Sequence, residues 1–235
     1  MFKRRSTVTL LAAGLMAALP VHAARPFMTD DARLTTEGSC QLESWSRHDS
    51  QRDEFWALPA CNPAGNLEIT AGAGQLRSDG ESGGRVQVLQ AKTLFRHLQP
   101  NDWGWGLAAG RIWHPSIRPG SNNLGGTYLY LPLSVSTQND RLVLHANLGW
   151  IRGSHTRLNA TTWGFGAEYW VQARTMLIAE TFGDDRQKPL VQAGLRFSVV
   201  PGLFQIDATH GSQPGGQGRK TWTSLGIRYT PEKLF

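Results

Sequence analysis

The sequence predicts an all-β chain: a single up-and-down antiparallel transmembrane β-barrel of about 12 strands, with about 10 or 14 as the neighbouring counts. Three observations predict it. Short segments alternate apolar and polar residues, the connections between them alternate short and long, and a stretch with the character of an export signal precedes them.

The N-terminal stretch comes first. Lys3, Arg4 and Arg5 precede an apolar run from Val8 to Leu19, followed by Pro20-Val21-His22-Ala23-Ala24. A basic start, an apolar stretch and small residues before a cut fit a secretory signal peptide, with cleavage expected after Ala23. The run falls short of the roughly 20 residues that a membrane helix needs. Residues 1–23 are therefore assigned as signal peptide and 24–235 as the barrel domain. Lys3, Arg4 and Arg5 carry half of the formal charge of +6, so the exported part is only mildly basic. No Lys/Arg run remains in it, which argues against nucleic acid as a partner. No later segment approaches the roughly 18 consecutive apolar residues of a membrane helix, and the 26 glycines fit such a protein poorly. A barrel is compatible with both facts, because half of its strand residues can be polar.

Alternation bounded by Gly, Pro, Asn and Asp clusters places strands near 39–48, 53–61, 66–77, 84–97, 103–113, 127–137, 141–151, 161–172, 175–183, 189–200, 203–211 and 220–230. Side chains two apart share a face of a strand. Leu129, Leu131, Leu133 and Val135 thus form one apolar face. Leu142, Leu144, Ala146, Leu148 and Trp150 form another, and Trp163, Phe165, Ala167, Tyr169 and Val171 a third. Trp103, Trp105, Tyr128, Trp150, Trp163 and Tyr229 fall near strand ends, where a barrel carries its aromatic girdles. Short connections at 62–65, 98–102, 138–140, 173–174 and 201–202 interleave with longer ones at 78–83, 114–126, 152–160, 184–188 and 212–219. An outer-membrane barrel has tight periplasmic turns on one rim and longer loops on the other, and an even strand count puts both termini on the periplasmic side. A soluble Greek-key sandwich gives no reason for that rhythm. Outer-membrane lipid is accordingly the expected surroundings of the apolar face.

The first hairpin can be given a register. With a turn at Ser50-Gln51, Cys40 faces Cys61, Trp45 faces Trp56 and Arg47 faces Glu54. Directly opposed residues lie about 5 Å apart, close enough for a disulfide and for aromatic or charge pairing. An exported chain meets an oxidising compartment, so Cys40 and Cys61 are expected to form a structural disulfide. At the other end, Phe235 shares parity with Leu225, Ile227 and Tyr229. In that respect it is similar to the last strand of many outer-membrane barrels, which implies recognition by the outer-membrane assembly machinery through the C-terminal strand and Phe235.

In a barrel the inward polar face carries function. Its candidates are Glu68, Lys92, His145, Asn147, Glu168, Glu180, Arg196, Asp207 and Arg228, each in a polar slot between apolar neighbours. Mixed charges there can line a wet passage or pair into a network that fills it. Glu180, Arg196, Asp207 and Arg228 lie on successive strands and are expected to form an ion ladder. Ser134 and Ser136 near His145 and Asn147 hint at a Ser–His pair, which an enzyme of lipids would need at the lipid-facing rim. No Gly-x-Ser-x-Gly elbow, His-Glu-x-x-His, Walker loop or dinucleotide fingerprint is present, so no catalytic, cofactor or metal site is assigned. Asp30-Asp31 is expected to be solvated or to cap a turn. Gly80 to Gly84 and Gly215-Gly216 are expected at loop tips.

The stretch Arg25-Pro26-Phe27-Met28-Thr29-Asp30-Asp31 resembles the opening of outer-membrane barrels in the meta-pathway phenol-degradation-like family. The block from Ala179-Glu180 through Ala193-Gly194-Leu195-Arg196-Phe197 to Asp207 is similar to that family as well. The resemblance implies an antiparallel barrel in the bacterial outer membrane that passes small, hydrophobic or aromatic molecules. The leading expectation is a non-enzymatic channel or transporter for small solutes. The alternatives are a structural or interaction barrel with a plugged lumen, whose loop at 114–126 contacts a partner, and a lipid-modifying enzyme.

Overall fold

The computed structural model describes residues 27–50, 52–78, 84–113, 126–154, 157–215 and 221–235. The signal peptide, the cleavage point after Ala23, Arg25-Pro26, Gln51, the Gly80–Gly83 tip and most of the 114–126 loop lie outside them. Twelve strands run β1 Ser39–Asp49, β2 Arg52–Asn62, β3 Glu68–Ser78, β4 Gly84–Arg96, β5 Trp103–Trp113, β6 Gly126–Thr137, β7 Leu142–Arg152, β8 Asn159–Gln172, β9 Thr175–Asp184, β10 Leu190–Val200, β11 Phe204–Ser212 and β12 Thr221–Tyr229. Each pairs antiparallel with the next, and β1 pairs with β12 to close the barrel. The described strands leave no free edge, and closure satisfies the backbone polar groups that lipid could not.

The period-two pattern fixes which way each strand faces. Leu225, Ile227 and Tyr229 of β12 point outward and are exposed, while Trp222, Ser224 and Arg228 point inward and are buried. Leu129, Leu131, Leu133 and Val135 of β6 are exposed in the same way. So much exposed apolar side chain would be an aggregation hazard in water and is what lipid requires. Trp103 and Trp105 near one rim and Trp113 near the other belong to the outward set. Tyr128 does not. It shares a strand with outward Leu129, so its ring must face the lumen, where its hydroxyl donates to Gln90 Oε1 at 2.8 Å. Proximity to a strand end was outweighed by parity.

Cys40 opposes Cys61, Trp45 opposes Trp56 and Arg47 opposes Glu54, the expected register. The two cysteines are joined as a disulfide. The rim at the chain ends carries the turns after β2, β4, β6, β8 and β10, hereafter the turn side. The three register shifts among the described residues lie there, between Leu94 and Arg96, Trp170 and Gln172, and Ser198 and Val200, as bulges at barrel rims commonly do. The opposite rim, the loop side, holds the longer connections, but also the tight break between Asp49 and Arg52.

The C-terminus departs from expectation. β12 stops at Tyr229, and Pro231, which has no N–H to give to a ladder, follows. The chain then folds back over the turn side, where the amides of Leu234 and Phe235 donate to the Gly38 carbonyl at 2.9 and 3.1 Å. Phe235 is therefore off the strand, and its shared parity with Tyr229 has no structural meaning. Its ring is exposed.

A lumen closed on one side and hollow on the other

The nine inward candidates line the lumen: eight are buried, and Asn147 is partly so. What they surround is the segment 27–35, which leaves β1 at the turn side and runs up inside the barrel. Phe27, Thr29, Asp31, Ala32, Leu34 and Thr35 are all buried there. An irregular segment inside a barrel has orphan backbone groups, and the wall supplies their partners. Glu180 accepts the amides of Met28 and Thr29 at 2.8 and 2.7 Å. Asn147 accepts the Asp30 amide at 2.6 Å and donates to the Asp30 carbonyl at 2.8 Å. Ser134 Oγ accepts the Ala32 amide at 2.8 Å, and Glu68 accepts both the amide and the hydroxyl of Thr35 at 2.7 Å.

Charge is matched as well. Lys92 Nζ lies 3.0 Å from Asp30 Oδ1 and 3.4 Å from Asp31 Oδ1. Tyr130 donates to the other Asp30 oxygen at 2.6 Å. The acidic pair is thus not solvated: Asp31 Oδ1 caps a turn by accepting the Arg33 amide at 3.1 Å, and the pair is also the counterion of a buried lysine. The wall also makes room. Gly164 faces Thr29, and a Cβ on it would meet Thr29 Oγ1 at 2.5 Å, so any larger residue there would collide with the segment.

The ion ladder forms only in part. Arg196 and Asp207 are opposed in register and bond at 2.7 Å through Nε. The second carboxylate on Arg196 comes from Glu168 through Nη1, not from Glu180. Register explains it: Gln192 stands opposite Glu180, four residues and roughly 13 Å along β10 from Arg196. Arg228 stands opposite Gln205 and Glu43, and its Nε donates to Thr230 Oγ1 at 2.9 Å. Arg196 with Glu168 and Asp207 is a fully buried triad, the kind of arrangement in which removal of one member strands the others.

His145 Nδ1 lies 2.8 Å from Ser134 Oγ, and its Nε2 lies 3.6 Å from Glu168 Oε2. That is the order of groups in a hydrolytic relay. Ser134 is fully buried, however, with its oxygen engaged by the Ala32 amide, and it faces the lumen rather than lipid. No lipid carbonyl reaches it while the segment is in place.

Toward the loop side the lumen opens into a chamber of about 170 Å³. Phe27 and Met28 contribute to its floor, and its walls include Trp45, Trp56, Tyr128 and Phe182. Trp45 and Trp56 stack with centroids 5.7 Å apart, and Tyr128 stacks on Tyr130 at 6.1 Å. Arg47 reaches the chamber and lies 4.2 Å from the centroid of Trp222. The cross-strand pairing of Trp45 with Trp56 was readable from sequence, but its side was not assigned. Outward Leu42 on the same strand carried that signal, because Trp45 has the opposite parity.

The chain belongs to the family described as "Uncharacterised conserved protein UCP029691", which it matches over residues 11–230. No curated protein sequence matches it. Among solved structures it is similar to the "KdgM porin in complex with disordered oligogalacturonate", with TM-score 0.62 and 9% identity over 81% of this chain and 99% of that one. It is similar to the NanC porin, with TM-score 0.57 and 10% identity over 82% and 100%. The "COG4313 outer membrane channel from Pseudomonas putida F1" gives TM-score 0.57 and 11% identity over 85% and 97%. At such identities the likeness is one of fold: the closed barrel is that of bacterial outer-membrane porins and channels. The barrel expected from the resemblance at 25–31 and 179–207 therefore stands, whereas the family matched is not the meta-pathway phenol-degradation-like one.

Proposed function

We propose that this member of the family is an outer-membrane channel for small solutes, hydrophobic or aromatic in character, which its own residues 27–35 hold closed. One observation carries the reading. The turn-side lumen is blocked by a separate segment held by side-chain hydrogen bonds and ion pairs, while the loop-side lumen stays hollow. A barrel whose only task is structural can fill its lumen from its own wall. Here the wall carries glycine where the segment passes, and its acids and amides are spent on that segment's backbone. The three porin and channel neighbours support the same reading at the level of fold.

The density of those contacts also favours the plugged structural barrel, and one experiment separates the two. Mature protein and a variant lacking residues 24–35 are refolded and placed in planar bilayers, with the shift in gel mobility on boiling used to confirm folding. The channel reading expects the deletion to raise conductance at least tenfold. A folded variant as silent as the parent favours the plugged barrel.

A further inference from the structure

We propose that the loop-side chamber is a binding site for a single-ring aromatic anion, a carboxylate of the benzoate class, with its ring between the aromatic walls and its charge on Arg47. The proposal deepens the solute reading above, but it stands on the chamber, so equilibrium binding and conductance can fail separately.

Size comes first. A cavity of about 150 Å³ is large enough for benzene; the chamber measures about 170 Å³ and adds Arg47, Gln90 and Gln192 to its apolar walls. Its walls offer flat faces at the stacked Trp45–Trp56 pair and at Tyr128, with the edge of the Phe27 floor below. Aromatic rings stack offset or edge-to-face on such surfaces.

Charge selects among ring-bearing solutes. Arg47 stands opposite Glu54, yet Glu54 is engaged elsewhere: Arg52 Nε lies 3.2 Å from one of its oxygens, and Trp56 Nε1 donates to the other at 3.2 Å. The guanidinium of Arg47 rests on Trp222, and its buried Nε has no hydrogen-bond partner among the described residues. A buried donor without a partner is costly, and the planar fork of arginine suits a carboxylate, which can accept two of its bonds. Of the acids deeper in the lumen, Glu180 is taken by the amides of Met28 and Thr29 and by Gln192 Nε2 at 2.5 Å, and Asp49 stands at the rim, at the end of β1. A cationic solute would meet the Arg47 guanidinium, and the chamber's own acid, Glu54, is already engaged by Arg52 and Trp56. A neutral ring would leave Arg47 as it is.

The test is calorimetric titration of the refolded mature protein in detergent micelles with benzoate, benzyl alcohol, benzylamine and acetate. Benzoate is expected to bind at least tenfold more tightly than each of the other three. Arg47→Gln should weaken benzoate at least tenfold and leave benzyl alcohol within twofold; Arg47→Lys, which keeps charge but loses the fork, should fall between. Benzoate binding no tighter than benzyl alcohol, benzylamine binding as tightly, or no benzoate binding would each overturn the proposal. If Arg47→Gln shows no boiling shift and so has not folded, the four-ligand comparison on the parent and the Arg47→Lys variant still decide it.

Discussion

The two halves of the lumen are built from opposite materials. On the turn side, Glu68, Lys92, Asn147, Glu168, Arg196 and Asp207 are buried or partly so and matched, either to one another or to the backbone of residues 27–35. On the loop side, Trp45, Trp56, Phe182 and Trp222 bring rings together and leave space between them. Buried polar groups are costly to leave unmatched, and the turn side keeps a small void of about 30 Å³ beside Lys92 and Asp31. Rings tolerate space between them, since they lose only dispersion contacts there. The barrel can therefore be sealed on the turn side and hollow on the loop side without either half being unstable.

Substitutions can break that contrast. The largest effect is expected on the turn side from Arg196→Met, which leaves Glu168 and Asp207 buried without their cation. Loss of about 3–5 kcal/mol is expected, measured as a lower urea midpoint of the lipid-refolded barrel. A change within error would mean that the triad is solvated and the turn side is not dry. A middle effect is expected where the wall touches the segment. Gly164→Ala should cost about 1–3 kcal/mol through overpacking against Thr29 and raise basal conductance, and Thr29→Gly in the same chain should restore both. Failure of that rescue would separate wall packing from closure.

The smallest effect lies outside both halves, in the turn between β4 and β5. Arg96 Nη2 contacts both oxygens of Asp102 at 2.8 Å, and with the Trp103 amide it holds that carboxyl below its ordinary pKa of 3.8. A depressed carboxylate contributes stability above its unfolded pKa and loses it as pH falls through the folded one. Asp102→Asn should therefore lower the urea midpoint slightly at pH 7 and leave it unchanged well below pH 3.8. An equal loss at both pH values would show that the ion pair is not the source. The exposed position of the pair keeps the effect small.

The wall of this molecule was legible in its sequence, because a two-residue period and turn chemistry are local. The register of the first hairpin followed from Cys40, Trp45 and Arg47 meeting partners around one turn. The inward set followed from parity. The lumen contents were not legible. Asp30 and Asp31 are 62 and 61 residues from Lys92, and nothing local distinguishes an acidic pair inside a barrel from one in water. Glu180 was placed on the right face but given the wrong partners: it takes Gln192 opposite it and the Met28 and Thr29 amides, and backbone carries no residue-specific signature. Tyr128 was assigned by nearness to a strand end when Leu129 beside it already fixed its face.

The root of the inner segment sets how far it can travel. The Thr35 carbonyl accepts from Asn62 Nδ2 at 2.7 Å, and Gly38 is bound through its amide to Asn62 and through its carbonyl to the last two residues of the chain. Residues 27–35 are thus a tethered arm with its pivot at the seam where first and last strands meet. Swung out through the turn side and fully extended, nine residues reach roughly 30 Å. That is far enough to expose Arg33 to a protease on that side, so the rate of cutting there would report how often the arm leaves the barrel.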